Sequence, residues 1–344
     1  MRHYLVQVNA SFYSSHSAEM AQCNSSEWNE TLVNSSSQTQ SSMNCFYVDY
    51  SQSAVENFYS TYILSIVLNS VCAVPASVLN ILVMVAVWRT SQLHTPSNLL
   101  LCNLALTDLG VGFFVQPVFV AHKIAAMCGN IKLHCIASLG SKTLASILGA
   151  ISLTTLTAIS IDRLLALVLS VRYRTVVTIR VTAKIVVLLW LLGIILSIPL
   201  FIDPVSFLYC MIFLLALCLT VTTLAYAKLT RLIHQHQTKV EVELHTGELQ
   251  SQELAEASNI AKYKSSIRTV VMLVFLMLLF YSPYLVLNIV LVVVQSNDER
   301  FKAAFNITHT ILFMNSLVNP AFYCWKIRRI RNAITDMLPS RFQE

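Results

Sequence analysis

Charged side chains are scarce in this chain of 344 residues: they make up 12% of it, against roughly 25% in ordinary soluble domains. Hydrophobic residues reach 56%, so the composition is that of a membrane protein rather than a soluble domain. A secretory leader is also not expected, because Met1–Ala10 has no continuous apolar core. The first membrane helix is therefore expected to serve as the anchor signal. No internal repeat, pair of Gly-interrupted helices or second intramembrane acid marks a transport path. A polytopic transporter or channel stays as the alternative class. No metal cluster or nucleophile-and-base pair has a recognisable spacing, which makes an enzyme the least expected reading.

What the chain does contain is long apolar runs. A bilayer core of about 30 Å needs roughly 20 apolar residues per helix, and seven stretches meet that length: Tyr59–Trp88, Pro96–Lys123, Cys135–Leu169, Val181–Ile202, Phe207–His234, Tyr263–Val294 and Ala303–Trp325. Unpaired backbone groups cannot face lipid, and uninterrupted runs such as Val270–Phe280 do not alternate as barrel strands do. The fold class expected is all-α, a seven-transmembrane helix bundle. Placing the N-terminus outside puts Arg89, Arg172, Arg174, Arg180, Lys184, Lys228, Arg231, Lys262, Lys264, Arg268, Lys326, Arg328, Arg329 and Arg331 on the cytoplasmic side, as the positive-inside rule requires. The net charge of +6 then faces lipid headgroups, and nucleic acid is not an expected partner.

Three regions follow. Residues 1–58 are rich in Ser, Asn and Gln and carry glycosylation acceptors at Asn9, Asn24, Asn29 and Asn34, so a disordered, glycosylated outer tail is expected. Residues 59–325 form the membrane domain. Residues 326–344 begin with Ile327, Ile330 and Ile334 at helical spacing among arginines, which predicts a short amphipathic helix with its apolar face on the inner leaflet. The long polar loop Gln235–Lys262 is expected to extend its flanking helices. Cys23, Cys45, Cys128 and Cys135 fall on the oxidising side, where disulfides are plausible with three connectivities open.

Several polar residues interrupt the apolar spans: Asn80, Asp108, Ser152, Asn315, Ser316 and Asn319. A carboxylate such as Asp108 inside a bilayer needs a cation or hydrogen-bond donors, so these residues are functional candidates by default. Ser152 also suits ordinary close packing of helices. Asp162-Arg163 ends the third span, where the arginine could simply snorkel to the interface. Pro320 breaks the seventh span's ladder within Asn319-Pro320-Ala321-Phe322-Tyr323, and a kink alone would not require Asn319 or Tyr323.

With Asn103-Leu104-Ala105-Leu106-Thr107-Asp108, Asn80, Trp190 and Pro283 each in the proper span, the chain resembles the rhodopsin-like G-protein-coupled receptors over roughly Tyr59 to Ile334. The resemblance implies a plasma-membrane receptor that couples an extracellular ligand to a heterotrimeric G protein. It implies that Asp162 restrains Arg163, that Tyr226 and Tyr323 swing inward on activation, and that Asn319, Pro320, Tyr281 and Pro283 belong to the switch. It further implies a sodium and water pocket at Asp108, Ser152, Asn315, Ser316 and Asn319, with no other cofactor.

The chain departs from the family at several places. Tyr281 replaces the sixth-span tryptophan, Leu164 follows Arg163, and Tyr263 replaces an acid that often pairs with that arginine; the last change predicts basal signalling. The fifth span has Cys218 in place of the family proline. Ser138 stands where the family's loop disulfide attaches, so Cys135 could join Cys128 or Cys45 instead. The very short loop Asp203–Ser206 is similar to that of melanocortin receptors, and the cluster of melanocortin, adenosine, cannabinoid and lysophospholipid receptors is the nearest group expected. Ligand-pocket candidates are Lys142, Ala145, Tyr281, Asn288 and Phe313. Ala145 offers no counter-ion to an amine, and Phe313 replaces the retinal lysine of opsins. Asn288 matches the adenine-binding asparagine of adenosine receptors, but Phe313 replaces their supporting histidine. Lys142, Lys123 and His122 could attract a carboxylate or phosphate, although both lysines could also snorkel to water.

Overall fold

The computed structural model describes residues 43–45, 48–169, 172–246, 272, 275–276, 278–291, 293–294, 298–326 and 328–335, all within the unit Gln40–Glu344. Five helices are long and apolar enough to cross a membrane: Tyr59–Arg89, Pro96–Met127, Ile131–Leu169, Ile179–Phe201 and Val205–Gln235. A shorter apolar helix, Leu278–Leu291, and the helix Glu299–Lys326 take the sixth and seventh places. The expected limits agree with these helices to within a few residues where both are described.

Local chemistry sets the helix ends. Thr95 caps the second span by accepting from the Asn98 amide at 3.3 Å, with Pro96 in the first helical position. Cys128–Asn130 then reverses the chain, and Gly129 takes φ +68°, a left-handed conformation that glycine adopts at little cost. Asp203 opens the fifth span by accepting from the Val205 and Ser206 amides and the Ser206 hydroxyl. Burial pushes its carboxyl up, but these bonds, the Ser206 hydroxyl first, outweigh burial and hold it below the usual carboxylate range. The fifth helix continues to Thr246, in line with the helical extension expected for the long loop.

The second span is not one continuous α-helix. Residues Val111–Val115 form a π-helical turn between Pro96–Gly110 and Gln116–Met127. Such turns insert extra backbone into an α-helix and often mark functional sites. The fourth span passes so close to the third that a Cβ on Gly193 would lie 2.5 Å from Ile151 Cγ1. Val83, Leu104 and Ile151 are fully buried at the centre, whereas Val71, Phe113, Leu188, Phe213 and Leu224 are exposed on the outer faces. That distribution is apolar on both sides, as a lipid-embedded bundle requires.

One expectation is corrected. Part of the outer region is structured: Met43–Cys45 (β1) pairs antiparallel with Val48–Tyr50 (β2), and a helix follows at Gln52–Asn57. Tyr50, Val55, Tyr62 and Ala126 form a small apolar cluster there, which supplies burial that the polar composition did not announce. In the short helix Arg328–Thr335, Ile330 and Ile334 join the core cluster with Val83 and Phe322; Ile327 lies outside the described residues.

Candidate functional site

Polar side chains converge at three depths. At the inner end, Asp162 is buried in the third span and accepts hydrogen bonds of 2.6 Å from both Ser97 Oγ and Tyr173 OH. Arg163 Nη2 lies 3.6 Å from Asp162 Oδ2. The carboxylate therefore has an adjacent cation and two hydroxyl donors from different elements. Burial first, and the bond to Asp162 second, push the Tyr173 hydroxyl up to about 12, so it remains a donor across the physiological range. Tyr226 packs with Leu164, Leu167, Leu229 and Ile233, immediately beyond Arg163 in the chain. Pro320 lies inside the seventh helix; the side chain of Tyr323 falls outside the described residues, as does Tyr263.

At mid-depth, Asn319 Nδ2 donates to Asp108 Oδ2 at 2.9 Å. Asn80 Nδ2 donates to the Ser316 carbonyl at 3.0 Å, and Ser316 Oγ turns to the Phe313 carbonyl at 2.7 Å. Ser152 Oγ, Asn315 Oδ1 and Asn80 Oδ1 are buried without hydrogen-bond partners. Such orphaned oxygens are rare, and each calls for a reason. Oxygen ligands beside one carboxylate suit a hard cation, so the residues present fit a sodium ion. Tyr281 packs against the central core, within electrostatic reach of Asp108, and its hydroxyl is 3.7 Å from a Cβ placed on Gly149.

In the outer half, the ligand-pocket candidates gather on different walls. Ala145 packs with Val115, Phe119, Leu148 and Phe313. Asn288 donates to the Tyr284 carbonyl of its own helix at 2.7 Å, so its amide is already engaged. Lys142 lies on the third span, and its charge reaches Lys123, His122, His134 and His309. Lys123 does not snorkel: it is 6% exposed and its Nζ donates to Asn306 Oδ1 at 2.5 Å. His309 stands one turn outward of Phe313, with its ring 5.0 Å from that of Tyr284.

Sequence reasoning missed Ser97, Tyr173, His134, Asn306 and His309. The first two join Asp162 only through folding, but the others carry a signal. His134, Ser138 and Lys142 recur at intervals of four on one helix, and on another so do the pairs Asn306–Thr310 and His309–Phe313; a helical face collects each set. Among the cysteines, Cys135 is disulfide-bonded and Cys128 is a free, exposed thiol. The Cys128–Cys135 pairing left open by the sequence is thereby removed: the intervening turn and helix start keep Cys128 on the exposed surface. The acceptors Asn9, Asn24, Asn29 and Asn34 lie outside the described residues, as does the side chain of Cys45.

Comparison with known proteins bears on the whole arrangement. The model of the seven-transmembrane receptors of the rhodopsin family matches residues 79–206 and 203–323. The chain is 30% identical over 139 residues to the 5-hydroxytryptamine receptor 1B of Spalax ehrenbergi, covering 40% of this chain and 35% of that protein. It is 28% identical over 137 residues to the human 5-hydroxytryptamine receptor 1B, covering 40% and 34%. The chain thus spans about a third of the length of these curated relatives.

Proposed function

Since the chain belongs to the rhodopsin family of seven-transmembrane receptors, we propose that it is a plasma-membrane receptor that activates a heterotrimeric G protein. The observation that carries this reading is Arg163, placed at the inner end of the third span beside an Asp162 already engaged by Ser97 and Tyr173. A carboxylate held by three partners is a latch. When the inner ends of the helices shift, the latch loosens and Arg163 turns to the partner, a population shift between two packings of one bundle.

The same reading places residues 1–58 outside, with sugars on Asn9, Asn24, Asn29 and Asn34, and 326–344 inside. It assigns Cys45, at the end of β1, as the partner of Cys135, since β2 packs against the third span. Tyr226, Tyr281, Pro283, Asn319, Pro320 and Tyr323 carry the helix shift. Asp108, Ser152, Asn315, Ser316 and Asn319 would hold sodium, which supplies a positive charge beside the buried carboxylate. These side chains fix the inner halves of the second, third and seventh spans relative to one another.

Nucleotide exchange on a purified G protein, measured with the wild-type chain and with Arg163→Ala, tests the receptor reading. Exchange above background that is lost in the variant is expected. No exchange from the wild type, together with ion flux that depends on Asp108, would favour a channel or transporter. Sodium should raise the thermal midpoint of the wild type but not of Asp108→Asn; equal shifts would remove sodium from the site.

The curated relatives are named for 5-hydroxytryptamine, but an amine does not suit this pocket. Ala145 presents no carboxylate, and the neighbouring ionisable groups are lysines and histidines. The loop Asp203–Ser206 and the absence of a fifth-span proline support the kinship with melanocortin and related receptors, without extending it to their basic peptides.

A further inference from the structure

Lys123 presents an electrostatic problem that its visible neighbours do not solve. An ammonium group withdrawn from water into a bundle costs several kcal/mol unless it is paired. Its hydrogen-bond partner, Asn306, is a neutral amide. Its other contacts are ring faces: Nζ lies 4.8 Å from the Phe119 centroid and 5.3 Å from that of Tyr62. Cation–π contacts attract the ammonium, yet they supply no counter-charge. Among the described residues, no ion pair joins Lys123 to a carboxylate. Glu299, which acts on the neighbouring Tyr62, directs its carboxylate to Ser51, Ser53 and Asn57.

The surroundings add positive potential and vacant donors instead of relief. His122 and His134 are both buried, with ring centroids 4.5 Å apart. His122 Nδ1 and Ser138 Oγ are buried without hydrogen-bond partners, and the His134 ring sits against the His122 backbone. Lys142 stands one turn inward of Ser138 and acts on all three histidines of the group. Lys123, three imidazoles and a hydroxyl thus come from the second, third and seventh spans. Beside them, Phe119, Phe313, His309 and Tyr284 form a series of rings with centroid separations from 5.0 to 6.1 Å.

We propose that this cluster receives the anionic head of a small ligand, a carboxylate or phosphate monoester, with Lys123 as the principal cation and the Phe119–Phe313 rings against the ligand's apolar body. An anion completes what the fold leaves open: it pairs with a buried ammonium and accepts from His122, His134 and Ser138 through charge-assisted bonds. The same chemistry disfavours a protonated amine, which would meet like charge. The proposal deepens the receptor reading by naming a ligand class, and binding can be measured independently of signalling.

The test uses the full chain in nanodiscs of neutral lipid and reads the ligand-induced shift of the thermal midpoint. The probes are oleate, oleoyl lysophosphatidic acid, inorganic phosphate and adenosine monophosphate, with methyl oleate as the uncharged control. At least one anionic probe is expected to raise the midpoint while methyl oleate does not. Stabilisation by the amphiphiles alone assigns the ligand to the bilayer; stabilisation by the soluble anions assigns it to the aqueous phase. Lys123→Gln should raise the half-saturating concentration by about 10–100-fold, the equivalent of one charged hydrogen bond, whereas Lys123→Arg should keep the response. Arg163→Ala should also keep it, so a failed G protein assay with an intact shift overturns the receptor reading and leaves this site standing. No shift with any anion, an equal shift with methyl oleate, or a shift unchanged in Lys123→Gln overturns the proposal.

Discussion

Asp162 accepts from Ser97 and Tyr173 at 2.6 Å before its ion pair with Arg163 is counted. A hydrogen bond to a charged group is worth about 1.5–3 kcal/mol, enough to move a resting equilibrium by tenfold or more. Tyr173→Phe removes one donor while keeping the ring, so basal nucleotide exchange should rise by up to about tenfold; exchange at or below the wild-type level would remove Tyr173 from the latch. The acid and arginine were legible because they are adjacent in the sequence. Tyr173 and Ser97 were not, since a loop and the start of another span bring them to the carboxylate. The same distinction explains Lys123, whose sequence position at a predicted span end suggested snorkelling. The helix instead continues to Met127, and the ammonium is enclosed.

Two elements determine how the outer half is arranged. The π turn Val111–Val115 sets the rotation of everything beyond it, including Gln116, Phe119, His122 and Lys123. In an α-helix each residue turns the chain by about 100°, so deleting Phe113 should rotate that face out of the bundle and break the Lys123–Asn306 bond. A thermal midpoint unchanged by the deletion would show that the turn does not set this register. Nothing in Val-Gly-Phe-Phe-Val announces it, because an unbroken apolar run has no period to disturb. The second element is the short helix Gln52–Asn57, tied to Glu299 through Ser53 and Asn57. These bonds, the Ser53 hydroxyl first, hold the Glu299 carboxyl below its ordinary value of 4.5. A depressed folded value means that the contact contributes above the ordinary pKa and is lost as pH falls through the lower one. The midpoint difference between wild type and Glu299→Gln should accordingly be present at pH 7 and close as pH falls below about 4. A difference that persisted at low pH would exclude this carboxylate as its source.

Across the whole molecule, apolar length revealed the spans, and their order revealed the family. The division of labour among them needed coordinates. Of the first five spans, the third is the most buried and the fourth and fifth the least. Polar bonds link the fourth span to its neighbours through Trp190–Asn103 and Ser146–Ser197, and a second set joins the ends of the bundle: Asn69 donates to Thr310 at 3.0 Å, Ser65 to the Asn306 carbonyl at 3.3 Å, Asn80 to the Ser316 carbonyl and Asn319 to Asp108. Each bond of this second set joins the beginning of the chain to its end. The first and last spans are therefore bonded directly to one another, and the long loop is expected to be dispensable as a covalent link. Two fragments severed within 247–262 and expressed together should find each other and co-purify, because the seventh span recognises the first two without a tether. Failure of the smaller fragment to remain bound would mean that chain connectivity holds these spans together. If the fragments do associate, the receptor can be built from halves, with labels or isotopes confined to one of them.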